Sequence, residues 1–271
     1  MHQRKAIHAP GTPRRATVYA CSNAGRLAEL KRSAASAARY MPALPRMLYL
    51  TSPLESDLDS YAGLTELFAQ IELIESARHP HRSRFEALAR CDAEEALFID
   101  CDTLFLDDIS ELFEVLSHFD IGLALAPQLF HDEAQHKGIY AALPAVSDAI
   151  PEWNSGLLVT RLTPAFRAFA ARWSALLRLC EAQGYRRDQP ALRSAVAESE
   201  LRVAAISSNY NFRAHMRQSL RGMVKILHAH GDLEQLALIV NAATGLRHYS
   251  PPRAPIDYGY EPTQRRLPHA D

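Results

Sequence analysis

Apolar residues in this 271-residue chain fall in short runs, separated by stretches with helical spacing. The clearest run is Ala96-Leu97-Phe98-Ile99, whose unbroken apolar character suits a strand buried on both faces of a parallel sheet. Ala16–Cys21 and Arg46–Thr51 predict two earlier strands, and Leu67–Ile74, which alternates imperfectly, a third. Helical spacing covers Ala24–Arg39 and His79–Ala89. Asp107-Asp108-Ile109 opens a further helix to Ser117, and Pro164 starts one that Gly184 ends. Asp188-Gln189-Pro190 begins another, with Asp188 read as its N-cap. Phe119–Ala126, Leu157–Val159, Leu201–Ile206 and Val224–His228 are the remaining strand candidates, and Asp232–Ala243 is a closing helix. This alternation predicts an α/β fold with a mainly parallel central sheet flanked by helices. Residues 16–249 read as a single domain, 1–15 as a loose arm and 250–271 as an extended Pro-rich tail. Residues 128–152 are polar and irregular, with His131, His136 and Pro144; they suit a lid, an acceptor-facing loop, or a loop of no importance.

Charge narrows the function classes. Thirty Lys and Arg against 31 Asp and Glu give a formal charge of −1, which provides no polyanion-binding surface and argues against nucleic acid as a partner. Cys21, Cys91, Cys101 and Cys180 are scattered without a C-x-x-C pair, so they read as free thiols in a reducing cytosol. The polar, basic start of the chain lacks the apolar core of a signal peptide, and no run reaches the ~18 apolar residues of a membrane span. A cytoplasmic protein is expected, with peripheral membrane contact left open.

Candidate chemistry begins at the end of the Ala96–Ile99 strand. If the extended conformation continues, Asp100 and Asp102 point the same way and repel each other unless a cation lies between them. A hard divalent ion bridging to phosphate oxygens would serve, and a strand end in solvated acids is the simpler alternative. Ser22 and Asn23 close the first strand where a doubly wound sheet commonly takes a nucleotide, although helix capping explains them equally. Arg84, early in its helix, could pair with phosphate. Asn209-Tyr210-Asn211-Phe212-Arg213 is dense in polar and aromatic groups.

Four separated pieces, in order, give the chain a family resemblance. They are the D-x-D of Asp100 and Asp102, the N-S-G of Asn154 to Gly156, the D-Q-P of Asp188 to Pro190, and the K-I-L-H of Lys225 to His228. With these, residues 16–245 resemble the GT-A nucleotide-diphospho-sugar transferases, especially bacterial glycosyltransferase family 8-like members. The resemblance implies a metal-dependent transfer of sugar from a nucleotide-sugar donor, most often a UDP-sugar, to a small-molecule, glycan or protein acceptor. Asp100, Asp102 and His228 would then hold Mn or Mg on the donor diphosphate, and Arg84 matches a basic position beside the nucleotide. Asn154 would lie near the donor sugar or acceptor, Asp188 would bind sugar hydroxyls, and Gln189 would sit by the anomeric carbon. Gln189 is a poor nucleophile, so front-face substitution with retention is expected.

The late motif departs from the family. His228-Ala229-His230-Gly231-Asp232 lacks the following Lys and Pro-Trp, so His230 competes with His228 as ligand, and His230, Lys225 or an Arg must neutralise the phosphates. Two alternatives follow. Asp100-Cys101-Asp102-Thr103 also resembles the nucleophile motif of haloacid dehalogenase-like phosphatases, with Asp100 phosphorylated, although the usual Gly is missing. The incomplete late motif would also suit a non-catalytic sugar-nucleotide-binding descendant of the fold.

Overall fold

The computed structural model describes residues 13–50, 63–74, 82–126, 141–185 and 187–251. The arm before residue 13, His131 and His136 of the expected lid, and the tail after 251 lie outside them.

The main sheet has seven strands: β1 (Arg15–Cys21), β2 (Arg46–Leu50), β3 (Gln70–Leu73), β4 (Glu95–Ile99), β6 (Ile121–Leu125), β7 (Trp153–Arg161) and β8 (Val203–Ile206). Their spatial order is β3-β2-β1-β4-β7-β6-β8. All neighbouring pairs are parallel except β4 with β7 and β6 with β7. The sheet is thus mainly parallel with one reversed strand near its centre, and helices cover both faces.

β4 shows why the apolar run is unbroken. Ala96 and Phe98 join the core that holds Phe85 and Trp173, while Leu97 and Ile99 join the opposite core with Leu30, Phe105 and Leu112. Successive residues of a strand face opposite sides, so a strand sandwiched between two cores needs an apolar residue at every position. The first core is floored by the helix Pro164–Ala182 and the second by the helix Leu27–Tyr40.

A smaller sheet is attached at the rim where β4 ends. It is made of β5 (Thr103–Phe105), β9 (Phe212–Arg213) and β11 (Ile226–His228), in the order β5-β11-β9. With β10 (Gln218–Leu220) and β12 (Arg247–Tyr249) it covers a third core around Phe212, Leu227 and Leu233. β5, β9, β10 and β12 are two or three residues long, too short to leave a periodic signal.

Several expectations shift in detail. Extended backbone does not run through to Asp102: the chain turns at Cys101-Asp102 and re-enters a sheet at Thr103, and the Thr103 hydroxyl closes the turn on the Asp100 carbonyl at 3.0 Å. Ser110–Ser117 is a 3-10 helix, entered where Asp108 accepts from the Ser110 amide. Trp153–Gly156 belongs to β7 rather than preceding a strand. In β7 the register against β6 jumps from Leu158 opposite Leu123 to Asn154 opposite Ala124, a bulge at the Asn-Ser-Gly stretch.

Candidate functional site

The reversed strand brings the site together. Because β7 runs antiparallel to β4, its N-terminal residues lie beside the C-terminal end of β4, and the Asp100 amide donates to the Gly156 carbonyl at 2.9 Å. β11 pairs antiparallel with β5, setting His228 opposite Thr103, and the Ala229 amide donates to the Asp102 carbonyl at 3.0 Å. Three distant stretches therefore converge on one point.

Asp100, Asp102 and His228 each present one ligand atom there, all within 4.8 Å of one another. His228 Nε2 lies 3.3 Å from Asp102 Oδ1 and 3.8 Å from Asp100 Oδ2. Gly156 supplies the room. A Cβ at that position would come within 2.2 Å of His228 Cε1 and 2.7 Å of Asp100 Oδ2, so no side chain is tolerated without displacing a ligand. Two carboxylates and an imidazole form a donor set that suits a divalent cation of the Mn type. The residues present fit such a group.

The charges around the cluster are ordered. Burial alone would push the Asp102 carboxyl up, but His228, His230 and the Arg213 guanidinium together hold it below the usual carboxylate range. Arg213 places Nη1 2.7 Å from His228 Nε2 and Nη2 3.4 Å from His215 Nε2. Burial, then the charge of Arg213, pushes the His215 imidazole down to about 3, so it is neutral at physiological pH. His230 stands on the solvent side: its Nδ1 is 3.3 Å from Asp102 Oδ2, 3.1 Å from Glu29 and 2.9 Å from Arg26 Nη1.

On the other flank, Arg84 binds Asp188 Oδ2 at 2.9 Å and Asp100 Oδ1 at 3.4 Å. The alternation of β4 explains the meeting. Asp100 continues the face of Ala96 and Phe98, and the Arg84 guanidinium lies over the Phe98 ring at 5.4 Å. Asp188 occupies the N-cap position of the helix Gln189–Glu198, yet its side chain makes no capping bond. The capping expectation fails because a buried carboxylate needs a cation, and Arg84 provides one. Gln189, the first residue of that helix, follows directly and is half-buried.

The remaining candidates divide. Asn154 is buried at the core of the cluster, where its Oδ1 accepts from the Gly156 amide and from Asn211 Nδ2, each at 3.0 Å. Ser22 and Asn23 lie in the turn after β1, on the same rim; Asn23 caps a short 3-10 turn through the Gly25 amide. That turn leads to Arg26, which reaches His230. Lys225 is not brought to the cluster. Strand alternation sends it to the other face of β11 from His228 and about 10 Å along. Its amine there binds Glu111, lies 3.5 Å from Asp107 and sits over the Tyr210 ring. Asn211 and Arg213 are site residues that the sequence offered only as part of a polar, aromatic cluster.

No family model and no curated protein matches the chain. Solved structures do. The galactosyltransferase LgtC, in complex with donor and acceptor sugar analogues, superposes with a TM-score of 0.57 at 16% identity, over 84% of this chain and 96% of that one. The fold is GT-A. An active-site mutant of LgtC gives 0.56 at 17% identity, over 80% of this chain and 87% of the other. Apo mouse xyloside xylosyltransferase 1 gives 0.51 at 17% identity, over 80% and 97%. Among the described residues, no helix is long and apolar enough to cross a membrane.

Proposed function

We propose that this protein is a divalent-metal-dependent glycosyltransferase of family 8-like kinship that transfers a sugar, with retention, from a UDP-sugar to an acceptor in the cytoplasm. One observation carries the reading: Asp100, Asp102 and His228 converge on one point, packed closely against Gly156, in a fold shared with a galactosyltransferase and a xylosyltransferase. When bound, Mn or Mg would act as a Lewis acid on the leaving diphosphate, where negative charge develops as the sugar–phosphate bond breaks.

The chain's own residues would do the rest. Asp100, Asp102 and His228 would hold the ion, and Arg84 orders Asp100 and Asp188 relative to each other. Asp188, so held, would accept from sugar hydroxyls, and Gln189 would stand at the anomeric carbon as a carboxamide too weak to attack it. Arg213, against the metal cluster, would supply the phosphates with the charge that the missing Lys of the late motif would otherwise bring, with His230 beside Asp102 as a further hydrogen-bonding group. The phosphatase alternative needs a different fold to present Asp100 as a nucleophile, and the GT-A sheet argues against it.

Thermal unfolding of the protein with UDP, ADP and GDP, each with and without Mn, tests this reading. A ligand confined to the native state at ~100 times its dissociation constant adds about 2.7 kcal/mol of stability. The expected result is a Mn-dependent shift with UDP that disappears in Asp102→Ala, a variant whose metal-free melting stays cooperative. No shift with any nucleotide in the presence of Mn would remove the proposal.

A further inference from the structure

The hydrogen-bond chain behind His228 fixes where its proton sits. A backbone amide N–H can only donate. Gly156 N–H points at the side chain of Asn154 at 3.0 Å, so the atom it meets is the amide oxygen. That oxygen also faces an amide terminus of Asn211 at 3.0 Å, which must therefore be the NH2 group. The other terminus of Asn211 is then its oxygen, and it lies 2.6 Å from His228 Nδ1. An amide oxygen only accepts, so Nδ1 carries the proton. Arg213 Nη1 is close to both ring nitrogens, 2.7 Å from Nε2 and 3.1 Å from Nδ1, so it stacks on the face of the ring and leaves the in-plane direction of Nε2 to Asp100 and Asp102. A neutral ring protonated at Nδ1 has its lone pair on Nε2. Asn154, Asn211 and His228 are all buried, so water does not compete for these bonds.

We infer that Asn211, oriented by Asn154 and ultimately by the Gly156 amide, is a positioning residue that holds His228 as the Nδ1–H tautomer and aims the Nε2 lone pair at Asp100 and Asp102. This rests on the metal reading of the cluster and deepens it. A divalent cation needs a lone pair on the ligating nitrogen, and the partner of the other nitrogen decides whether one is there. The inference also gives Asn154 a task other than contact with sugar: its oxygen is spent on two internal donors.

Two-bond proton–nitrogen correlation spectra of the metal-free protein at about pH 8 report the tautomer directly, with the His228 signals identified by their loss in His228→Gln. The expected spectrum shows protonated Nδ1, and an Nε2–H tautomer would overturn the inference. Asn211→Leu should mix the tautomers and weaken Mn binding, read by calorimetry, by about 10- to 100-fold. Asn154→Asp keeps an acceptor for both donors and should bind Mn no more weakly than the parent. Unchanged Mn affinity in a folded Asn211→Leu would equally overturn the role. If that variant does not fold, the spectrum of the parent still decides the tautomer. A parent with the Nδ1–H tautomer that binds no Mn would uphold the positioning of the ring and refute only the metal reading.

Discussion

Both ends of β11 carry a cluster of acids and basic groups, and they are built on different plans. At one end Lys225 meets Glu111 and Asp107 in partly exposed surroundings, with the Asp108 carbonyl as a further acceptor. At the other end, one strand turn away, buried His228 meets Asp100 and Asp102. The Lys225 cluster brings its own cation and lets water screen the remainder, so it is complete as it stands. The His228 cluster directs two carboxylates and an imidazole at a shared point, packed so closely on Gly156 that an added methyl group would strike His228 and Asp100. A protein can satisfy buried acids with its own cations, as Arg84 does for Asp188. Where two carboxylates and an imidazole still converge on one point with Arg84 and Arg213 beside them, the arrangement is suited to receive a further cation from outside.

The comparison predicts a graded response. Arg84→Met should be the most damaging, because it strands the buried Asp188 carboxylate; denaturant unfolding should show a loss of about 3–5 kcal/mol. A loss below ~1 kcal/mol would mean that water or another group already satisfies Asp188. Gly156→Ala should cost about 1–3 kcal/mol by overpacking, and should weaken Mn binding because His228 or Asp100 must move. Unaltered melting together with unaltered Mn affinity would show that the space at Gly156 is not needed. Lys225→Met should cost no more than ~1 kcal/mol and leave UDP affinity unchanged. That small cost has a pH signature. The hydrogen bond from Lys225 holds the Glu111 carboxyl below its usual range, so the contribution is present above the unfolded value of ~4.3 and fades as pH falls through the folded one. Parent and variant should thus converge in stability on acidification. A tenfold loss of UDP affinity in Lys225→Met would instead put this lysine back beside the nucleotide.

The sequence made some of this legible and concealed the rest for physical reasons. Asp100 could be located because it continues a strand whose buried alternation is written in Ala96–Ile99. The family motifs pointed to His228, but their spacing also pointed to Lys225, three positions earlier in the same segment; strand alternation separates the two. Asp188 followed the local rule for helix starts and is governed by Arg84, far away in the chain. Asn211 and Arg213 stood out only as members of a polar, aromatic stretch, with nothing local to give either a role. Their roles are relations to Asn154 and His228, and only the closed fold creates those relations. Asn154–Gly156 was visible as a motif, whereas the bulge in β7 at that stretch is a mismatch of register between strands.

The late position of β11 also has a meaning in time. β1, β2, β4 and β7 can pair once the chain has been made through Arg161, and both large cores then have most of their strands. His228, Asn211 and Arg213 arrive only with the small sheet. During synthesis or refolding the protein would thus pass through a stage with a nearly whole sheet whose two acids still lack their third ligand. Acquisition of tight Mn binding would mark the docking of the last strands, and a metal-sensitive probe would serve as a clock for completion of the fold.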